Sequence, residues 1–173
     1  EGPYFNKFSG NPVNPGLSFF PKINKGSSVI WYSTTTTGEG YMKIVDYTTV
    51  IEDKLKVYDT HLENMNNSSY TVDCETPGFK KGSDDVCRFK RESLGNCSSG
   101  SFGYDDMQPC FYLKINKRIW VHCKGKRAAD VEHMGIIDYY PYQGFSGYYF
   151  PHFSIHSYFS PLVAIKFRNL TSK

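Results

Sequence analysis

The sequence has no apolar run long enough to cross a membrane, because no window reaches the roughly eighteen apolar residues that a spanning helix needs. It also has no recognisable signal peptide, and its opening residues, EGPYFNKFSG, are typical of the interior of a longer chain. The net charge is only +3, and the lysines and arginines are scattered. We therefore expect no nucleic-acid-binding surface, and the densest basic run, at 124–127, indicates a solvated turn.

Catalytic motifs are missing as well. The chain has no G-x-S-x-G elbow, no H-E-x-x-H pair and no nucleotide-binding glycine pattern. His152 and His156 are four residues apart, but a proline-led aromatic stretch is a poor helix, so a shared metal site is not expected. The adjacent acids at 84–85 and 105–106 lie in polar turns, where neighbouring side chains point apart. These absences favour a binding or structural protein without cofactor or metal, with a small extracellular hydrolase as an alternative.

Aromatic residues, in contrast, are plentiful and concentrated. They make up 17% of a 173-residue chain, against 21% charged residues, which indicates one folded, β-rich domain. The stretch from Tyr139 to Phe159 holds many of them in two clusters, at 139–142 and 148–151, and no Asp, Glu, Lys or Arg lies between Asp138 and Lys166. Such a segment must pack against the protein's own core or against a partner.

The five cysteines point to an oxidising compartment. They have no spacing of the kind found in zinc knuckles, so a disulfide framework is the better interpretation. Four Asn-x-Ser/Thr sequons, at Asn66, Asn67, Asn96 and Asn169, support a secreted or cell-surface setting and predict N-linked glycans. The odd count indicates an intermolecular bridge or a missing partner. The cysteines are Cys74, Cys87, Cys97, Cys110 and Cys123.

The periodicity predicts strands and one helix. Residues 1–27, rich in Pro, Asn and Gly, are expected to form an extended, membrane-proximal arm, and 28–173 a single domain. Steps of three and four predict an amphipathic helix over about 40–60, with a stripe at Tyr41, Ile44, Val45, Thr48, Ile51, Leu55, Tyr58 and Leu62. Strands are predicted at 28–33, 110–121, 135–140 and 162–167, the second half-buried with Phe111, Leu113 and Ile115 on one face.

The stretch 86–110, VCRFKRESLGNCSSGSFGYDDMQPC, resembles the ectodomain of the β subunits of the Na,K-ATPase and H,K-ATPase family. The likeness continues through LKINK at 113–117 and the C-x-G pattern at 123–125, and it covers the chain from about residue 11 to the end. The spacing from Pro151 to Pro161 is more similar to invertebrate than to vertebrate β subunits. The shared letters are Cys87, Phe89, Leu94, Gly95, Asn96, Cys97, Ser98, Gly103, Tyr104, Pro109 and Cys110.

The resemblance implies an immunoglobulin-like antiparallel β-sandwich with the one helix packed on it. It implies disulfides Cys74–Cys87 and Cys97–Cys110, with the partner of Cys123 in a strand beyond Lys173, so a C-terminal truncation is expected. The family's cytosolic tail and membrane helix are absent ahead of Glu1. The family's loop before the C-x-G cysteine is short here, which indicates either a deletion or a missing segment near 120–121.

The implied function is that of a non-catalytic β subunit of a P-type pump at the plasma membrane. Such a subunit helps the catalytic α subunit to fold and reach the surface, and it modulates extracellular K⁺ affinity. The family's motif for contact with the α subunit is Y-Y-P-Y-Y-G-K. Residues 139–144 match its amino acids more literally, whereas residues 149–153 match its place in the chain, just before the last strand. We favour the match in place, so the contact is expected at 149–153, and 139–142 is expected to be a strand end and part of the core. A β-sandwich adhesion module and a β subunit of an H⁺/K⁺ pump are the alternatives. The expected contact residues are Tyr148, Tyr149, Phe150, Pro151 and Phe153.

Overall fold

The computed structural model describes residues 17–22, 44–65, 71–75, 82, 85–116, 118, 120–150 and 158–171. Within these ranges the fold is mainly β and is built on a four-stranded antiparallel sheet. The predicted fold class, an immunoglobulin-like sandwich with one packed helix, is confirmed at this level. The predicted strand at 28–33 lies outside the described residues.

The strand bounds are Leu17–Phe20 for β1, Thr71–Val72 for β2, Val86–Cys87 for β3, Cys110–Ile115 for β4, Ile136–Tyr140 for β5 and Leu162–Arg168 for β6. The larger sheet has the strand order β1-β4-β6-β5, and every neighbouring pair in it runs antiparallel. A second, two-stranded sheet pairs β2 with β3 in parallel and carries Cys87 at its end.

Strand β1 lies inside the stretch that was predicted to be an arm. Its residues pair with β4 in the register Leu17 with Ile115 and Phe20 with Tyr112, so this part of the stretch belongs to the sheet. Phe20 stacks on Tyr112 with ring centroids 4.7 Å apart. An extended segment was expected here. Its pairing with β4 could not be predicted, because the partner residues lie almost a hundred positions away and nothing in the local sequence marks them.

Strand β4 corrects two predictions. It ends at Ile115 rather than at 121, and Trp120 instead forms a separate antiparallel bridge to Gly144. It is also buried more deeply than a half-buried strand, since Tyr112 and Ile115 have no exposed surface. Strands β1 and β6 hydrogen-bond to its two edges, and on the face of Tyr112 the ring of Phe102 packs edge-on at 6.4 Å between centroids.

Helix α1 spans Ile44–Met65, so it ends five residues later than the predicted helix. Over residues 44–59, where the side chains are described, the buried ones are Tyr47, Ile51, Leu55 and Tyr58, spaced by four, four and three residues as one helical face requires. Val45, which was predicted on this stripe, is 65% exposed. Tyr47 takes that place because its ring stacks on Tyr104, at 5.5 Å between centroids.

A short helix α2, Ala128–Met134, and two 3₁₀ segments, Arg91–Cys97 and Gly147–Tyr149, complete the described elements. The first 3₁₀ segment turns sharply at Gly95, where φ is +54° and a Cβ would lie 3.0 Å from the ring of Tyr140. Glycine suits this position because it tolerates the left-handed conformation and leaves room for the ring.

Arg91 joins helix α1 to this 3₁₀ segment. Its guanidinium donates to Glu52 and Asp59 of α1, each at 2.6 Å, and its Nε donates to the carbonyl of Ser98 at 2.6 Å. The Arg91 side chain is only 13% exposed. The hydrogen bond from Arg91 lowers the pKa of Glu52 below its ordinary value. The part of the contact that is made with Glu52 therefore stabilises the folded state only while Glu52 is ionised.

We predict that Arg91→Gln lowers the free energy of unfolding at pH 7 by about 1.5 kcal/mol, since charge-assisted hydrogen bonds are lost and the Ser98 carbonyl loses its donor. Because the folded-state pKa of Glu52 is lowered, its contribution is present above the unfolded-state pKa of about 4.3 and is lost as pH falls through the folded-state value. Urea unfolding followed by circular dichroism from pH 7 to pH 3 should show a shallower pH dependence in the variant.

The matched control is Arg127→Gln, which removes an exposed arginine paired with Asp130 at 2.8 Å. Exposed pairs contribute little to stability, so this variant should unfold like the parent protein at every pH. If the Arg91→Gln variant kept the stability and the pH profile of the parent protein, the hydrogen bonds from Arg91 to helix α1 would contribute nothing to the folded state, and the prediction would be wrong.

Candidate partner-binding surface

Two disulfides stabilise the stretch 86–110, which carries the resemblance to the ATPase β subunits. Cys74 is bonded to Cys87 and Cys97 to Cys110, the same pairs that the resemblance implies. The second bridge is fully buried and joins the 3₁₀ segment to the start of β4. Cys123 is free and partly exposed.

The residues around Cys123 form an open cleft of about 300 Å³. Its lining includes His122, Lys124, Val131 and Ile137. The backbone N–H of Cys123 donates to the hydroxyl of Tyr139 at 2.7 Å, and burial raises the pKa of that tyrosine. This contact holds the segment carrying Cys123 against strand β5.

The aromatic stretch from Tyr139 onward divides differently from the prediction. Tyr139 and Tyr140 are half-buried on β5, as expected for a strand end beside the core. Tyr142 is 63% exposed, so its assignment to the core is wrong. The reason is that β5 ends at Tyr140, and the chain then turns away from the sheet.

The predicted contact residues also differ in accessibility. Tyr148 is 61% exposed, and Tyr149 is half-buried with its ring 4.7 Å from that of Phe145. Phe150 is only 4% exposed and packs in the core. Pro151 and Phe153 lie outside the described residues, as do His152 and His156.

Burial raises the pKa of Tyr149 to about 12, and the nearby carboxylates Glu75 and Asp73 act in the same direction. Its hydroxyl therefore stays protonated at physiological pH and can donate a hydrogen bond. Asp73 is itself paired with Lys90, whose hydrogen bond lowers the pKa of that carboxyl.

Trp120 was missed by the sequence analysis as a surface residue. Its side chain is 71% exposed, next to the buried Val121. No local signal in the sequence marks it, because Trp120 and Val121 are both apolar and the alternation of exposed and buried side chains at 120–122 is visible only in the fold.

The two described sequons are accessible. Asn96 and Asn169 are both exposed, and Asn169 follows strand β6 with φ at +61°. The Thr171 hydroxyl of the second sequon lies 3.0 Å from Nδ1 of His133. Asn66 and Asn67 lie outside the described residues.

Metal and membrane features are absent from the part of the chain that the structure describes. No group of three His, Cys, Asp or Glu side chains is close enough to hold a metal ion there. None of the helices in those ranges has the length and apolar character needed to span a bilayer.

A family model described as the sodium/potassium ATPase beta chain matches residues 2–173. The chain belongs to this family. A sodium/potassium-transporting ATPase subunit beta-2 of Drosophila melanogaster is 28% identical over an alignment 201 residues long, gaps included, that covers 90% of this chain and 60% of the relative. The beta-1 subunit of the same organism is 28% identical over 196 residues, with 91% and 59% covered.

A human sodium/potassium-transporting ATPase subunit beta-2 is 28% identical over 191 residues, which cover 95% of this chain and 62% of the relative. This member of the ATPase β chain family therefore spans about three fifths of the length of the relatives it matches. Its two disulfides and mainly β fold lie within the matched part.

Proposed function

We propose that this chain is the ectodomain of a non-catalytic β subunit of a sodium/potassium pump, with the catalytic α subunit as its partner. The observation that carries the proposal is the family match over almost the entire chain. The relatives described above are sodium/potassium-transporting subunits, which supports a Na⁺/K⁺ pump rather than an H⁺/K⁺ pump. The two disulfides fit an extracellular setting at the plasma membrane.

In this role the chain helps the α subunit to fold and to leave the endoplasmic reticulum, and it modulates extracellular K⁺ affinity. A non-catalytic role fits a site made of aromatic and backbone groups. The exposed sequons at Asn96 and Asn169 are proposed to carry N-linked glycans. The thiol of Cys123 is free and partly exposed.

The test is affinity purification of the full-length subunit from native membranes, followed by mass spectrometry. We expect a P-type ATPase α chain in near-stoichiometric amount. Recovery of the subunit without any such chain, under conditions that preserve a known pump complex, would contradict the proposed function.

For the contact with α, we propose that the exposed Tyr148 and half-buried Tyr149 bind the partner, whereas buried Phe150 holds their segment in place. Pro151 and Phe153 are proposed as contacts from the family position of the motif. Tyrosine suits such an interface because it buries a large ring with few rotatable bonds and offers a hydroxyl at the wet edge.

We predict that Tyr148→Ala combined with Tyr149→Ala reduces recovery of α by roughly tenfold, the loss expected from removing an aromatic anchor. The amount of folded β subunit should stay close to normal because Tyr148 is already 61% exposed. The measurement is the α-to-β ratio after detergent purification.

The matched variant is Phe150→Ala. Because this side chain is buried, its removal should cost about 3 kcal/mol of stability and lower the amount of β subunit itself. If the tyrosine pair and Phe150 give the same profile, with β lost in both, then the tyrosines are structural and the contact assignment is wrong.

A further inference from the structure

Among the described residues, three aromatic side chains are strongly exposed. Trp120 is 71%, Tyr142 63% and Tyr148 61% accessible. Single exposed apolar residues are common, so these rings indicate a binding surface only where the fold brings them together. Only Tyr148 is part of the contact proposed above.

The backbone brings Trp120 and Tyr142 to one face. Trp120 bridges to Gly144 in an antiparallel pair, and the N–H of Val121 donates to the carbonyl of Gln143 at 2.6 Å. Across this bridge Tyr142 lies diagonal to Trp120, and the burial pattern places both rings on one side, since 120, 122 and 142 are exposed while 121 and 145 are buried. Such diagonal neighbours lie about 7–8 Å apart, which is within reach for large rings. Gly144 has no side chain to cover the indole.

The opposite face of this ribbon is anchored in the core. Val121 is 9% exposed and Phe145 4%. Phe145 packs edge-on against Phe89 at 5.8 Å and against Tyr149 at 4.7 Å between ring centroids. The exposed rings therefore stand on a backbone that is held before any partner arrives, which lowers the entropy cost of binding.

The ribbon is continuous with the proposed contact. Tyr142 is near enough to Tyr149, the neighbour of Tyr148, for the two hydroxyl groups to interact electrostatically, and no Lys, Arg, Asp or Glu occurs in the sequence between Asp138 and Lys166. Tryptophan and tyrosine are the side chains that most often dominate interface energetics, especially where charge is scarce. The patch therefore suits an uncharged, apolar surface that also offers acceptors for the indole N–H and the phenol hydroxyls.

We propose that Trp120 and Tyr142 join Tyr148 in one aromatic docking surface, and that its occupant is an uncharged extracellular surface of the catalytic α subunit. This proposal rests on the proposed function and extends the contact from the segment 148–150 to the ribbon formed by 120–122 and 142–144.

The test uses the full-length subunit, co-expressed with α in membranes, with a photoreactive benzoyl-phenylalanine in place of Trp120 or of Tyr142. Illumination should give an adduct of α with β at both positions. Controls carry the same group in place of Met107 or of Val45, which are 38% and 65% exposed on other elements. They should give at least tenfold less adduct.

In parallel, Trp120→Ala with Tyr142→Ala should reduce the α recovered per β by roughly tenfold, while Tyr142→Phe should stay within about twofold of the parent. No adduct at either position, adducts equal to the controls, or adducts between two β subunits would overturn the proposal. These outcomes count only where the unmodified subunit recovers α. If it recovers none, the proposed function fails instead.

Discussion

Replacing both Cys97 and Cys110 by alanine is expected to destabilise the protein by about 4 kcal/mol, whereas replacing Cys74 and Cys87 should cost about 3 kcal/mol. Each bridge has a sequence separation of 13 residues, so the chain-entropy contribution is the same for both. The difference comes from the surroundings. The sulfurs of the second bridge lie in the core, while Cys74 is partly exposed.

The Cys97–Cys110 bridge also orders the backbone around it. The carbonyl of Cys97 accepts the hydroxyl of Tyr112 at 2.6 Å, and the N–H of Cys110 donates to the carbonyl of Phe102 at 2.9 Å. Loss of the bridge should therefore loosen the 3₁₀ segment and the start of β4 together. Urea unfolding of each double variant, with surface delivery of the full-length subunit as the cellular readout, measures the difference. A larger loss for the Cys74–Cys87 pair would contradict this ranking.

Tyr112→Ala should have the second large effect, a loss of about 4 kcal/mol, because a fully buried ring is replaced by a cavity. The ring of Tyr112 stacks on Phe20 at 4.7 Å and meets Phe102 edge-on at 6.4 Å. Since Phe20 belongs to β1, the variant should also release that strand. Hydrogen exchange of the amides at 17–20 should rise more than that of β5.

The hydroxyl of Tyr112 can be separated from its ring. Tyr112→Phe keeps the ring but leaves the buried carbonyl of Cys97 without its donor, which should cost about 1–2 kcal/mol. Burial raises the pKa of Tyr112 above its ordinary value, so the hydroxyl remains a donor across the neutral range. As a control, Tyr142→Ala removes an exposed ring and should change stability by less than about 0.5 kcal/mol. Equal losses for Tyr112→Phe and Tyr112→Ala would show that the ring packing contributes nothing.

Much of the fold could be predicted from local patterns. Strands β5 and β6 were placed to within one residue at each end, since turn residues and β-branched runs mark them in the sequence. Helix α1 was found from its period of three and four, although its C-terminal end lay beyond the predicted one. The family was identified by the resemblance of the stretch 86–110 and was confirmed by the family match.

The candidate site was predicted less well. Tyr148, predicted to contact the partner, is exposed, but Tyr142 was assigned to the core and Trp120 was not considered. Phe150, chosen as a contact, is buried. Tyrosine and phenylalanine are both large and aromatic, so a cluster of them in the sequence indicates burial or binding. The sequence does not say which ring of the cluster is buried and which is exposed.

The sequence alone predicted a disulfide framework, the main helix and two strands of the sheet, and it carried the resemblance to the family, because cysteine spacing, periodicity and motif letters are local properties of the chain. Tertiary structure decided that β1 pairs with β4, that Tyr47 rather than Val45 faces the core, and that Arg91 reaches two carboxylates on α1. It also decided which aromatic rings face solvent. Exposure depends on the elements that pack against a residue from 30 to 100 positions away, and no local pattern records them.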